Sequence, residues 1–473
     1  MAALPSAVRA AFRSAWLVMA SCISSGAEQS SGVGRFGALL SQACHALALG
    51  ARTVTPNRLL PIAFGMTHAG KSLLWAGTDA FSFFILIKIV QIPPVAAGTL
   101  FVLSSFWNAM IDALWGNGIE RVGTIRKALP GLCGLAGMLA CFSFALLPWL
   151  PTGSMLATVV ALFLFRTAFS LLDVPHNATA AALAHVHGHL IVARWRSTLS
   201  AVTALAIATA ALPVVGAASA SPRTAQIMFM TVAAVAFLLL VPLPWLVRTT
   251  RLMVVARPRV RETVPAVFSP GGFVLFCFAQ MLGFAALASV GKAILHADAL
   301  NERLFGYALL LIALARLAAI GLWAPLAAKI GSARALGFAY VASAAAALCL
   351  PAAIGQGPVS MMIVLALLGL SFGGVGLLAW SSFSELLALM RTGEDPAVAA
   401  RAYGWFTSTS KIGLGFSGVL TGVWLSQVRG VGTQSLWSLV VPVAALCLAS
   451  ALMMWLGLVN GRRQLEKRWS EQQ

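Results

Sequence analysis

From about residue 63 the chain alternates apolar runs with short polar breaks, each run roughly 20 residues long and able to cross ~30 Å of hydrocarbon as a helix. The pattern predicts spans near 67–91, 95–117, 128–150, 154–183, 191–217, 224–247, 270–294, 304–328, 335–354, 358–389, 402–427 and 434–459. An all-α polytopic membrane protein of twelve transmembrane helices follows. Residues 1–62 differ: they are rich in Ala, Ser, Gly and Arg, with Glu28 their sole acid. They read as a targeting peptide, a disordered basic arm or a mis-assigned start ahead of Met66, and no chemistry is assigned to them.

Composition agrees. Hydrophobic residues make up 60% of the 473 and charged residues 10%, more apolar surface than a soluble domain uses. The net charge of +19 is not one basic patch with interleaved aromatics, so nucleic acid is excluded as a partner. Basic residues instead fall in alternate breaks: Arg121, Arg126 and Lys127; Arg194 and Arg196; Arg248 to Arg261; Lys329 and Arg334; Arg391 and Arg401; and the tail from Arg462. The positive-inside rule then places both termini in the cytoplasm of a bacterial-type inner membrane. The seven cysteines lie singly and suit neither disulfides nor zinc.

The chain also repeats. Trp115-x5-Arg121-x-Gly123-x2-Arg126 recurs as Trp323-x5-Lys329-x-Gly331-x2-Arg334, and Gly98 recurs at Gly306, all 208 positions on. A parallel repeat of two six-helix halves is the plan of the major facilitator superfamily. The predicted units are an N-terminal bundle (63–247), a basic cytoplasmic linker (248–268), a C-terminal bundle (269–459) and a tail (460–473).

Against this apolar background, intramembrane charges stand out as candidate function, because each costs at least ~2.5 kcal/mol at mid-bilayer. Asp112 lies in the second span with Asn108 one turn before it, on the same helical face. Lys71, Asp173 and Lys411 lie at similar depth on three other spans. Two carboxylates and two ammonium groups balance, and protonating one acid frees a lysine to change partner. Asp112 reads as a coupling acid or as one arm of a structural ion pair. Asp173, just before Pro175, either accepts hydrogen bonds from substrate or pairs with Arg166 two turns earlier. Arg316 either meets an anionic substrate or pairs with another helix, the second being favoured. Glu385 is expected to cap or pair. His185, His187 and His189 alternate as a metal site would, but without nearby acids or Cys they read as a solvated loop.

Three stretches resemble the glycoside–pentoside–hexuronide cation symporters, the melibiose permease-like branch of the superfamily. They are Gly98-Thr-Leu-Phe with Trp107-Asn-Ala-Met-Ile-Asp112, Phe169-Ser-Leu-Leu-Asp173-Val-Pro175, and Lys411-Ile-Gly413 after Arg401-Ala-Tyr-Gly404. The resemblance implies a cation site at Asn108, Asp112 and Ser170, joined by Lys411, and a sugar site at Lys71, Ser72, Asp173 and Arg196. Where the relatives carry acids, this chain has Asn108 and Ser72. Asp79, two turns from Ser72 on nearly the same face, and His176, after the helix-four proline, join the candidate substrate site.

The thinned cation cage suits a proton better than Na+. The expectation is a secondary active transporter, not an enzyme, needing no cofactor and acting as a monomer. It would carry out proton-coupled symport of a small polar, sugar-like solute. A carrier of amphipathic molecules such as lysolipids, or a non-transporting receptor on the same scaffold, are the alternatives.

Overall fold

The structure is a computed structural model and describes residues 56–215, 222–255, 270–294, 302–389, 396–427 and 433–470. Expectations for residues 1–55, for 256–268 of the linker and for 471–473 lie outside the described residues. Within them the chain forms α-helices and one short 3-10 turn, with no strand. The helices are α1 (Pro56–Lys88), α2 (Pro94–Arg121), α3 (Gly123–Leu146), α4 (Met155–His187), α5 (His189–Val215), α6 (Pro222–Leu240) and α7 (Leu243–Val255). After the linker come α8 (Pro270–Ile294), α9 (Glu302–Ile330), α10 (Ser332–Gln356), α11 (Pro358–Leu389), α12 (Pro396–Gln427) and α13 (Thr433–Ser470).

Several boundaries differ from the sequence expectation, each for a local reason. α1 starts at Pro56, inside the segment read as an extension, with proline at the position that needs no amide donor. The expected span 224–247 breaks into α6 and α7, where Pro242 and Pro244 interrupt the amide ladder. α13 continues to Ser470 through a run of helix formers, Arg462 to Arg468, that reads as tail by hydropathy. The expected histidine loop is a single-residue break: α4 runs to His187, Gly188 turns with φ 88°, and His189 opens α5. Only glycine takes that turn without strain.

Among the described residues, ten helical stretches are long and apolar enough to cross a membrane. α6 and α7 make one of them together. α1 and α12 are also long, 33 and 32 residues, but carry buried polar side chains that lower their hydropathy, Lys71 and Thr78 on one, Thr407 and Lys411 on the other. They are inner helices. Large apolar side chains cover the outside instead, as at Leu156, Val359 and Leu238, which are 76%, 70% and 66% exposed. Such a surface suits lipid, and the polar groups are kept within.

The most extensive helix pair is α2 against α12, antiparallel and in contact along their lengths. Glycines make the approach possible. A β-carbon at Gly404 would lie 2.6 Å from the Asp112 carbonyl oxygen, one at Gly98 2.7 Å from that of Gly418, and one at Gly422 2.7 Å from that of Pro94. A second seam joins α5 to α9. The repeat has a structural echo: the Trp115 indole donates to the Leu171 carbonyl (3.3 Å) and Trp323 donates to the Leu370 carbonyl (3.0 Å).

Gly404→Leu places a side chain against a backbone that has no room for it. It is expected to destabilise the protein by about 1–3 kcal/mol, the usual effect of overpacking. Thermal unfolding in detergent checks this, and an unchanged melting temperature would show that the α2–α12 seam is not tight.

Candidate functional site

Four helices bring four charges into one chain of contacts. Lys71 on α1 donates to Asp173 on α4 at 2.7 Å. The other Asp173 oxygen lies 3.3 Å from Lys411 on α12. Lys411 also sits 2.9 and 2.7 Å from the two oxygens of Asp112 on α2. Lysine and aspartate therefore alternate, Lys71–Asp173–Lys411–Asp112, each 5% exposed or less. Removing one partner of a buried pair costs about 3–5 kcal/mol, because the other charge is left stranded.

Polar neighbours complete the chain. Ser170 donates to Asn108 Oδ1 at 2.5 Å, and Lys411 reaches the same oxygen at 3.1 Å. Asn177, one turn after Asp173, donates to that acid at 3.0 Å and accepts from Lys71 at 2.5 Å and from Arg196 at 2.9 Å. Helical spacing explains both sets. Asn108 and Asp112 are four apart on α2, Asp173 and Asn177 four apart on α4, so each pair shares a face. Gly404, two turns before Lys411 on α12, keeps the two backbones close enough for Lys411 to reach α2.

A cavity of about 370 Å³ opens beside this chain between the two halves. Lys71, Ser72, Asp79, Asp173, Arg196 and Lys411, all expected site residues, line it. Asn108, Asp112 and Ser170 are fully buried behind Lys411 and do not. His176 is not in the wall either. It is stacked between helices, 4.9 Å from the Phe64 ring and 5.6 Å from that of His68. His68 does reach the wall and meets Ser200 at 3.1 Å.

Other expectations are corrected. The Arg166–Asp173 pair does not form, since Asp173 is taken by two lysines. Arg166 turns to aromatic faces, 5.3 Å from Trp75 and 5.0 Å from Phe101. Arg316 makes no ion pair among the described residues and lines the cavity. His187 lies against Trp195 at 5.1 Å while His189 meets Ser384 at 2.7 Å, so these two turn to different partners. Among the described residues there is no cluster of His, Cys, Asp and Glu fit for a metal. Glu385 accepts from the Ser332 hydroxyl at 2.5 Å and the Ser381 hydroxyl at 3.1 Å, side-chain partners in place of the expected cap or ion pair.

The sequence reading missed Lys292. This buried lysine near the end of α8 donates to Asp79 at 2.9 Å and to Ser417 at 2.9 Å. It is the one charged residue of α8, so the logic that singled out Asp112 would have found it. The cavity therefore has charged contacts between the halves towards both ends. Lys292–Asp79 joins them towards one. Towards the arginine-rich end, Arg196 lies 3.7 Å over the Trp380 ring, His189 meets Ser384, and Arg401 pairs with Glu120 at 3.4 Å.

The comparisons with known proteins bear on this geometry. Residues 63–460 match the model of the family described as MFS/sugar transport protein. No curated protein matches the sequence. Among solved structures, the chain is similar to a bacterial homologue of the iron transporter ferroportin in an outward-facing state, with a TM-score of 0.58, 15% identity, and 85% of this chain and 98% of that one covered. It is also similar to the proton:xylose symporter XylE (0.57, 14%, 85% and 94%). A third match is the nucleoside transporter NupG (0.53, 13%, 84% and 98%). At these identities the likeness shows the fold alone, that of the major facilitator superfamily.

Asp173→Asn removes the carboxylate that Lys71 and Lys411 share, and is expected to destabilise the protein by about 3–5 kcal/mol. Pairing it with Lys71→Met should restore part of that loss. Melting temperatures of the single and double variants in detergent read the effect. Strict additivity would show that the two residues do not interact.

Proposed function

The chain belongs to the MFS/sugar transport protein family and is a secondary transporter, and from that premise we propose that it couples solute movement to protons through Asp112 and Lys411. The single observation carrying this reading is that the Lys411 ammonium fills the space between Asn108 Oδ1 and the Asp112 carboxylate. Asn108, Asp112 and Ser170 are the groups that the family resemblance marks for a coupling cation. Sodium entering there meets one carboxylate, one amide oxygen and one hydroxyl, with an internal cation already among them. A proton needs only Asp112.

The consequence of protonation follows from the distances. Neutral Asp112 loses its hold on Lys411, whose other acid, Asp173, is already 3.3 Å away. Asp173 then binds Lys411 more tightly and Lys71 less so. Because Asp173 and Lys71 line the cavity, a proton arriving behind the wall changes the charge that a solute meets in front of it. A ligand shifts a two-state equilibrium by its differential affinity for the states, and this exchange of partners supplies the difference.

Alternating access then needs contacts that break on one side as they form on the other. Arg401–Glu120, His189–Ser384 and Arg196–Trp380 serve as the closure at the arginine-rich, cytoplasmic end. Lys292–Asp79 serves towards the outside. The charged wall favours a small polar solute over an amphipathic one, since an acyl chain there would desolvate ions without replacing their partners. A receptor needs no such cavity beside its buried acids.

Reconstituted vesicles test the reading. Solute addition is expected to drive proton uptake without any need for sodium. Asp112→Asn should abolish that uptake while solute exchange down its own gradient persists. Uptake that requires sodium, or that is unchanged in Asp112→Asn, would remove the proposed coupling.

A further inference from the structure

We infer that the transported solute is an organic anion, its carboxylate or phosphate countered by the guanidinium groups of Arg196 and Arg316; this rests on the transporter reading above. The inference starts from charge balance around the cavity. Three acids stand in or directly behind its wall, and each is held by a lysine: Asp79 by Lys292, Asp112 by Lys411, Asp173 by Lys71. Three arginines remain: Arg166, Arg196 and Arg316. None of them makes an ion pair with a carboxylate among the described residues. With lysines and acids cancelling one for one, the enclosed site holds an excess of three positive charges.

Their placement tells which of them a solute would meet. Arg166 is 1% exposed, its Nε and Nη2 have no hydrogen-bond partner, and its plane lies against Trp75 and Phe101. It adds to the positive field without entering the cavity. Arg196, 4% exposed, lines the cavity from α5 with one nitrogen on Asn177, while its Nε and Nη1 have no partner. Arg316 lines it from α9 in the other half, and the acid whose charge reaches it, Asp79, already belongs to Lys292. Each half thus brings one guanidinium with no carboxylate partner to the wall of the space between them.

Chemistry then selects the solute. A guanidinium fork matches carboxylate and phosphate oxygens two at a time, a geometry that neutral hydroxyls do not reproduce. A low-dielectric cleft of one sign focuses its field and concentrates the opposite charge. A neutral sugar would satisfy hydrogen bonds and leave the charge excess in place, whereas an anion removes part of both deficits. Trp75, Trp380 and Phe169 in the same wall supply flat apolar faces for the carbon skeleton. Anion and proton entering together would also move less net charge than either alone, which fits a coupling acid that carries one proton.

Binding to the purified full-length protein, followed by tryptophan fluorescence at fixed ionic strength, tests the inference. The probes are matched pairs, glucuronate with glucose and glycerol 3-phosphate with glycerol, and chloride and sulfate alone. At least one organic anion should bind saturably, about tenfold or more tighter than its neutral counterpart, and lose about tenfold or more in Arg316→Gln and in Arg196→Gln. Arg316→Lys, which keeps the charge but not the fork, should fall between. The carboxylate and phosphate arms tell which oxyanion is taken. Neutral probes binding as tightly as the acids, no organic anion binding up to millimolar concentration, or inorganic anions binding as well as organic ones would each overturn it. Proton flux in vesicles separates this from the coupling reading. A neutral solute that drives proton uptake leaves coupling standing and sinks the anion; arginine-dependent anion binding without flux does the reverse.

Discussion

Charge inside hydrocarbon is the constraint on which this molecule depends. A lone charge at mid-bilayer is expensive, and each buried lysine of the cavity finds its aspartate on another helix. The chain Lys71–Asp173–Lys411–Asp112 satisfies that demand by tying α1, α4, α12 and α2 together at one level. Three of these helices belong to the first half and one to the second. The same contacts that make the charges tolerable therefore hold the halves in register, and any change in one proton count is felt by the packing between them.

Small residues allow the charges to meet. Lipid gives helices little hydrophobic reason to associate, so close packing and polar contacts must supply it. Along the α2–α12 seam, Gly98, Gly404, Gly415 and Gly422 bring backbones together where a side chain would hold them apart. Gly404 abuts the carbonyl of Asp112 itself, so the acid and its lysine are positioned by the tightest part of the seam. The seam where close packing is greatest is also where the buried Asp112–Lys411 pair lies. A helix that moved there would have to carry its ion pair with it or exchange it.

Much of the fold was legible in the sequence because span length and hydropathy are set by bilayer thickness, which does not depend on tertiary context. The twofold plan was visible in the Trp115 and Trp323 motifs, and the matching indole-to-carbonyl bonds show what the repeat preserves. Helix ends were less legible, because Pro242 and Pro244 break a run that stays apolar throughout. At the site, intramembrane charge picked out Lys71, Asp112, Asp173 and Lys411, which the structure brings together. Partner choice was beyond reach: spacing on α4 allowed Arg166 to pair with Asp173, yet two lysines from other helices reach that acid first. His176 looked available from its place after Pro175 but turns away from the cavity to stack on Phe64. Lys292 was overlooked although it had the same signal as the others.

The central claim is that Asp112 is the group that takes and gives the proton, with Lys411 leaving it when it does. Difference infrared spectroscopy of the membrane-reconstituted protein across a pH step observes this without any solute. The account predicts that a protonated-carboxyl band appears as pH falls and is missing from Asp112→Asn. An identical band in Asp112→Asn, or none in the unaltered protein at any pH that preserves the fold, would contradict it.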